Sequence, residues 1–283
     1  MSAARFLTPR IVVGGALIAA LVLVAIFAPL IAPNDPEAQE LLYVLLPPAW
    51  APGGDAAFPL GTDSLGRCIA SRLVFGTRVA LTVALTAATG AMVLGTLLAL
   101  LAGYFGGRID WLVSRAVDTW MSFPPVILAL ILLVGLGAGV DKVILAIIIV
   151  DWTRFARVIR SEVLVVRRRD YIAAARLAGF SHLAVLAREV LPAVAPLVIT
   201  LLSLEMGIAV IVEATMSFVG LSVESDVAAW GVMIADARRS MYQAPWGVVL
   251  PTAAIFLTVL GFNLLGDGLR PALDPSLRTR GAR

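Results

Sequence analysis

Long apolar runs set the first limit on how this chain can fold. Residues 11–32 carry no charged side chain, and a helix of that length crosses the roughly 30 Å hydrocarbon core of a bilayer. Five further runs lie at about 79–103, 111–136, 143–158, 193–219 and 246–265. Uninterrupted runs of this length are typical of spanning helices, in which every backbone polar group finds a partner within its own segment. The sequence therefore predicts an all-α polytopic membrane protein with six transmembrane helices.

Composition supports this class. The chain is 60% hydrophobic and 14% charged, whereas soluble domains are about one quarter charged. The net charge of +3 does not indicate nucleic-acid binding, because the arginines lie in short segments between the apolar runs. We therefore expect the lipid bilayer, and no nucleic acid, as a partner.

The chain lacks the usual residues of a catalytic or metal site. Its one cysteine, Cys68, excludes an internal disulfide, and with the one histidine, His182, it provides too few ligands for a zinc or haem site. The sequence contains no HExxH, no glycine-rich phosphate loop and no GxSxG. We expect no cofactor, no metal and no catalytic residue here, so any ATP would be hydrolysed on another chain.

The apolar runs divide the chain into two parts. Residues 1–60 are predicted to form a retained N-terminal transmembrane helix and an external loop rich in proline and glycine. Residues 61–283 form a core with the other five helices. Three arginines, at 67, 72 and 78, predict an interfacial helix ahead of the second span, and Pro124 and Pro125 predict a bend in the third.

The positions of the basic residues indicate the topology. Sixteen of the 22 Lys and Arg residues lie in segments 1–10, 103–115, 154–192 and 266–283, and six lie in the intervening ones. Short cytoplasmic loops carry such an excess. Both termini and the loop 160–192 are therefore predicted to be cytoplasmic.

Residues 167–192, RRRDYIAAARLAGFSHLAVLAREVLP, are too polar to span and too regular for a plain linker. Helical spacing places one set of residues on a common apolar side: Ile172, Ala175, Gly179, Leu183, Leu186 and Val190. Gly179 predicts a turn or a close contact, and Pro192 marks the start of the next apolar run. From these residues alone, a docking element and a basic amphipathic helix on the lipid surface are equally supported.

The spacing of Ala174-Ala175, Gly179 and Leu191-Pro192 resembles the "EAA" loop of ABC importer permeases. The sequence departs from that pattern at Ala173, where the family often has Glu, and at Glu189, where it often has a branched apolar residue. The resemblance implies that this loop docks on a cytoplasmic ATPase. It assigns ATPase coupling to the following residues: Asp170, Tyr171, Ala173, Ala174, Ala175, Ala178, Gly179 and Pro192.

Residues 60–276 as a whole resemble the second permease subunit of dipeptide/oligopeptide-type importers, a pattern that nickel importers share. The matching pieces are GTDSLGR (61–67), AGYFGGRID (102–110), VDTWMSFPPVILAL (117–130), RDYIAAARLAG (169–179), SFVGLS (217–222) and FNLLGDGLRPALDP (262–275). Departures are Cys68, often Asp in the family, and Asp151, often a small residue.

The resemblance implies a type I ABC importer permease in a bacterial inner membrane. Its implied partners are a second homologous permease, two ATPase subunits that bind ATP and Mg²⁺, and an extracytoplasmic binding protein. Peptides are the expected cargo, and nickel or another small solute is the alternative. A stand-alone secondary transporter would need an inverted repeat, which we do not find in the sequence, and a membrane-embedded enzyme has the least support.

Acidic residues inside the apolar runs are candidates for the transport pathway, because a charge there costs about 2.5–3.5 kcal/mol on insertion scales. Glu205 either meets a cationic group of the cargo or packs, hydrogen-bonded, against the partner permease. Asp151 is expected to pair with Arg154 or Arg157. Candidates for a pathway or gating role are, in full, Glu205, Glu213, Asp118, Ser217 and Phe218.

Overall fold

The computed structural model describes residues 8–222 and 227–273, and these residues are mostly helical. The helices are α1 (Pro9–Ile26), α2 (Ala28–Ile31), α3 (Ile69–Phe105), α4 (Gly107–Met121), α5 (Pro125–Leu136), α6 (Val140–Val166), α7 (Asp170–Leu177), α8 (His182–Val185), α9 (Leu191–Val219), α10 (Trp230–Ala237) and α11 (Trp246–Leu273). A π-helical turn, Leu186–Val190, joins α8 to α9. The predicted cytoplasmic arginines at 5, 278, 280 and 283 lie outside the described residues.

Six elements correspond to the six predicted membrane helices. Four of them are long and apolar enough to cross a bilayer: α1, α3, the continuous stretch His182–Val219, and α11. The pair α4 and α5 passes the same test together, with a bend of 88° between the two helices. Helix α6 has 27 residues but carries several charges. The all-α polytopic prediction is confirmed.

Small residues allow α3 and α6 to pack closely. Ala84, Ala88 and Ala91 of α3 are fully buried. At Gly95 a methyl group would lie 2.6 Å from Cβ of Phe155 and would collide with the carbonyl oxygen of Trp152. Small side chains at helix interfaces are typical of membrane bundles, because they let backbones approach one another.

The N-terminal helix α1 lies against α11 at the edge of the bundle. At Gly14 a methyl group would lie 2.7 Å from the backbone nitrogen of Leu265. At Gly268 one would lie 2.5 Å from a side-chain carbon of Ile11. The outward side of α1 is largely exposed in the isolated chain, so this helix is fixed to the bundle through one face.

The arginines at the start of α3 do not form a separate interfacial helix, because α3 runs unbroken for 37 residues. Arg67 is buried and bonds Asp63 and Asp236 at 2.7 and 2.6 Å. Arg72 is buried and donates to the carbonyl of Pro36 at 3.3 Å. Arg78 donates to the carbonyl of Ala25, near the end of α1, at 2.6 Å. Each of these arginines has protein partners, so none needs to lie in the interface.

Pro192 lies in the first turn of α9, at the start of the apolar run, as the sequence predicted. It lies inside the continuous helix His182–Val219, directly after the π-helical turn Leu186–Val190, in which Leu191 donates to the carbonyl of Leu186. A proline lacks the N–H that a regular helix would use, and a π-helical turn is one of the irregularities that accompany bends in helices.

Candidate cytoplasmic docking site

The segment predicted as one amphipathic helix is a helical hairpin, α7–turn–α8. Helix α7 ends with a Schellman motif: Phe180 N–H donates to the carbonyl of Ala175 at 3.2 Å, and Gly179 N–H donates to that of Arg176 at 3.1 Å. Gly179 has φ +88° and nothing within 4 Å of its missing side chain. The prediction of a turn or a close contact at Gly179 is confirmed by the turn.

The second arm of the hairpin starts with its own cap. The hydroxyl of Ser181 accepts from the N–H of Ala184 at 3.2 Å, which satisfies one of the free donors at the start of a helix. Residues 178–181 therefore form a short turn that is capped on both sides. This geometry holds the tip of the hairpin in one conformation.

The inner side of the hairpin packs on the bundle. Ile172, Val185 and Leu186 are buried in a cluster with Ile159 and Val163 of α6. This apolar contact fixes the hairpin to the ends of the membrane helices.

Polar contacts strengthen this attachment. The guanidinium of Arg167 donates to the carbonyls of Gly103 and Tyr104 at 2.8 and 3.3 Å, which are among the acceptors left free at the end of α3. Arg176 donates to the hydroxyl of Tyr104 at 3.3 Å and lies 2.7 Å from Nε2 of His182. His182 is therefore an interface residue within the chain.

The outer side of the hairpin exposes large apolar side chains. Leu177 is 90% exposed and Leu183 is 72% exposed, and Tyr171 and Phe180 are also exposed. We call these four residues the outer hairpin surface. Leu183 was expected on the same side as Leu186 and Val190, which are buried; it is exposed instead because it lies in the first turn of α8, beside the turn at Gly179. Exposed apolar groups clustered on a rigid element indicate a docking surface.

Of the predicted coupling residues, only Tyr171 belongs to the outer hairpin surface. Asp170, Ala173, Ala174, Ala178 and Gly179 are exposed on the hairpin, whereas Ala175 is half-buried. Pro192 lies apart from them, in the first turn of α9.

Leu177 and Phe180 were missed as site residues in the sequence. Both are large apolar residues that lie off the predicted apolar side of the helix. That position, in a segment too polar to span the membrane, was the one indication in the sequence that they make contacts elsewhere. A large apolar residue that breaks the pattern next to a turn is a candidate contact residue.

Glu205, the acid at the middle of α9, has a partner in its own chain. Its Oε2 lies 3.4 Å from Nη1 of Arg154, and Asp151 lies 3.7 Å from the same guanidinium. Glu205 is 3% exposed. Asp151 was expected to pair with Arg154 or Arg157, and it pairs with Arg154. Arg154 also joins α6 to α9.

The other candidate pathway residues do not gather around Glu205. Asp118 is exposed and bonds Arg157 at 2.6 Å. Glu213 is buried and accepts from the hydroxyl of Ser217 at 2.5 Å, one helical turn further on. The Phe218 ring lies 5.9 Å from the guanidinium of Arg238. These residues make separate contacts, one of them within α9 itself, and their geometry does not define one substrate site.

Two family models match the chain. Residues 95–279 match the binding-protein-dependent transport system inner membrane component family. Residues 9–48 match the N-terminal transmembrane domain of oligopeptide transport permease C. The first match includes the hairpin, and the second begins at the start of α1.

Curated relatives are similar over almost the whole chain. The di/tripeptide transport system permease protein DppC of Pseudomonas aeruginosa is 40% identical over 91% of this chain and 85% of that protein. The nickel transport system permease protein NikC of Escherichia coli K12 is 40% identical over 94% of both chains. The glutathione transport system permease protein GsiD of Pectobacterium atrosepticum is 38% identical over 97% of this chain and 90% of that protein.

Proposed function

Because this chain belongs to the family of inner membrane components of binding-protein-dependent transport systems, we propose that it is the second permease subunit of an ATP-driven peptide importer. In that assembly it forms half of the translocation pathway. Relatives named for di/tripeptide and dipeptide transport support the cargo, and the N-terminal match supports the place in the heterodimer.

The outer hairpin surface is the observation that carries this proposal. It lies on the α7–α8 hairpin, whose inner side is packed against α6 and α9. A force applied to a rigid hairpin moves the helices to which it is fixed. An ATPase that docks on Leu177 and Leu183 can therefore transmit its own closure to the membrane bundle, provided that its contacts differ between the two states.

The remaining partners follow from the family. ATP and Mg²⁺ bind to two ATPase subunits in the cytoplasm, a binding protein delivers cargo from outside, and a second homologous permease supplies the other half of the pathway. The hairpin and both termini face the cytoplasm in this arrangement, in agreement with the excess of arginine there. The family favours this importer over a stand-alone transporter or a membrane enzyme.

Replacement of an exposed leucine tests the proposal directly. Leu177→Glu removes an apolar contact and places a charge in the proposed interface. Because Leu177 is 90% exposed, the fold should remain intact. We expect the purified complex to lose its ATPase subunits, and proteoliposomes to lose peptide uptake.

Leu42→Glu is the matched control, since Leu42 is 95% exposed on the external loop. It should leave the ATPase subunits bound. Equal retention of the ATPase by both variants would contradict the docking role of the outer hairpin surface.

Nickel import is the second candidate, since NikC is as similar to this chain as DppC. Uptake of labelled dipeptides and of ⁶³Ni²⁺ by the same proteoliposomes distinguishes the two. Saturable dipeptide uptake that excess Ni²⁺ does not inhibit supports the peptide importer, and the opposite pattern supports nickel.

A further inference from the structure

A second feature of the hairpin is an open-sided cavity of about 540 Å³ behind it, between α7 and the ends of α3 and α6. Its polar lining consists of Tyr104, Arg167, Arg168, Arg169, Arg176 and His182. We call it the basic pocket. Four guanidinium groups within one cavity create a strongly positive local potential.

The positive charge of the basic pocket is not balanced by carboxylates in direct contact with it; Asp110 of α4 acts on Arg167 only at longer range. Among the described residues, none of its four arginines has an acidic side chain within 4.0 Å, whereas Arg154, Arg157 and Arg160 of the adjoining helix each have at least one. Converging cations without a counter-charge in direct contact favour an external anion.

The arginines of the basic pocket differ in how tightly they are held. Arg167 and Arg176 are fixed by their contacts with α3 and His182. Arg168 and Arg169 are exposed at the rim. The fixed groups provide a preformed base, and the rim groups can close on a bound anion. Guanidinium groups suit phosphate oxygens in particular, because their planar N–H pairs match two oxygens at once.

The surroundings of the basic pocket indicate a lipid. Phe105, itself part of the lining, is exposed, and so are Ile109, Trp111 and Leu112 on the first turns of α4. Exposed aromatic and aliphatic groups beside arginines are typical of a membrane boundary, where phosphates lie above acyl chains. A soluble anion would not need this apolar border.

We propose that the basic pocket binds the phosphate of an anionic phospholipid of the cytoplasmic leaflet, with Arg168 and Arg169 as the closing groups. On α7, Ile172, Ala173 and Arg176 line the pocket, and the outer hairpin surface shares no residue with that lining. Lipid and ATPase can therefore bind at the same time. A bound lipid also supports the hairpin from behind.

Native mass spectrometry of the complete importer complex tests the proposal, with phosphatidylglycerol added to lipid-depleted complex. Arg168→Gln together with Arg169→Gln should weaken lipid retention about thirtyfold, since each arginine near a membrane surface contributes about 1 kcal/mol, while the ATPase subunits stay bound. Arg108→Gln with Arg115→Gln is the matched control: it removes the same charge from exposed α4 positions outside the pocket. The control should retain the lipid. Added salt should weaken binding to the wild-type complex.

Three results would overturn the proposal. Equal lipid loss in both double variants would mean general surface attraction. Saturable binding of soluble glycerol phosphate that phosphatidylglycerol does not displace would mean a soluble ligand. Loss of ATPase subunits from the pocket variant, with lipid retained, would mean that the arginines contact the ATPase. Because uptake of peptide is not the readout, failure here leaves the proposed function intact.

Discussion

At the scale of single residues, two glycines are needed for different physical reasons. Gly95 is required because the backbone of α6 lies against it. Gly179 has free space around it but adopts φ +88°, a conformation that costs most other residues about 1–2 kcal/mol. Substitutions at the two positions should therefore fail in different ways.

Gly95→Ala should destabilise the whole bundle. The added methyl group would force α3 and α6 apart, and overpacking of this kind costs about 1–3 kcal/mol. Thermal unfolding of the detergent-solubilised chain measures the effect. Gly15→Ala is the control, because nothing lies within 4 Å of that position on α1. A fall in melting temperature as small as that of the control would contradict close α3–α6 packing.

Substitutions at Gly179 should affect coupling rather than global stability. Asn tolerates the left-handed conformation better than β-branched residues do. Gly179→Asn should therefore keep most of the cargo-stimulated ATP hydrolysis of the complex, and Gly179→Val should lose it, with both chains inserted normally. If Val were as active as Asn, the turn would not be needed for docking.

At the scale of elements, α6 carries a row of arginines that join it to its neighbours. Arg154 reaches α9, and Arg157 and Arg160 reach Asp118 and Asp110 of α4. Spacing of three residues places them along one side of the helix. The sequence predicted a short fourth span, about 143–158, because of these charges. The charged side chains instead pair with neighbouring helices, and α6 continues to Val166.

The two α4–α6 pairs should differ in strength according to their burial. In a double-mutant cycle with Asp110→Asn and Arg160→Gln we expect a coupling energy of about 1 kcal/mol. The two side chains share two hydrogen bonds and are largely shielded from solvent. The cycle for Asp118 and Arg157 should give less, because both side chains are about half exposed. Unfolding in denaturant measures both; a larger value for the exposed pair would contradict this ranking.

At the scale of the whole molecule, a polar network on the predicted external side joins segments far apart in the sequence. Arg67 bonds Asp63 in its own loop and Asp236 in α10. The indole of Trp246, at the start of α11, donates to the carbonyl of Thr62 at 3.2 Å. The N-terminal loop, α10 and α11 are therefore held as one cap.

Asp236→Asn should loosen this cap. It replaces one of the two carboxylates paired with the buried Arg67 by a neutral amide, and weaker satisfaction of a buried charged group costs about 1–3 kcal/mol. Hydrogen exchange of residues 33–67 should accelerate. Asp141→Asn is the control, because that aspartate is exposed and pairs only with its neighbour Lys142; it should change nothing measurable. Similar exchange in both variants would contradict a structural role for the Arg67–Asp236 pair.

The sequence alone determined the class of fold and the location of the hairpin. Membrane-length apolar runs allow few structures other than a helical bundle, since backbone groups must be satisfied within the lipid. Pro124 and Pro125 likewise predicted a bend in the third span, and the angle between α4 and α5 is 88°. These features are local, so the order of residues is enough to reveal them.

Only the tertiary structure decided which side chains are presented at the hairpin and which charges are paired. Helical periodicity placed Leu183 on the same side as Leu186 and Val190, which are buried, but the turn at Gly179 leaves Leu183 exposed at the start of the next helix. From the sequence, Glu205 could meet either a cationic cargo or the partner permease. In the structure it lies beside Arg154, 51 positions earlier in the chain. Contacts between distant segments depend on how the helices pack. A pattern read along one segment does not contain that information.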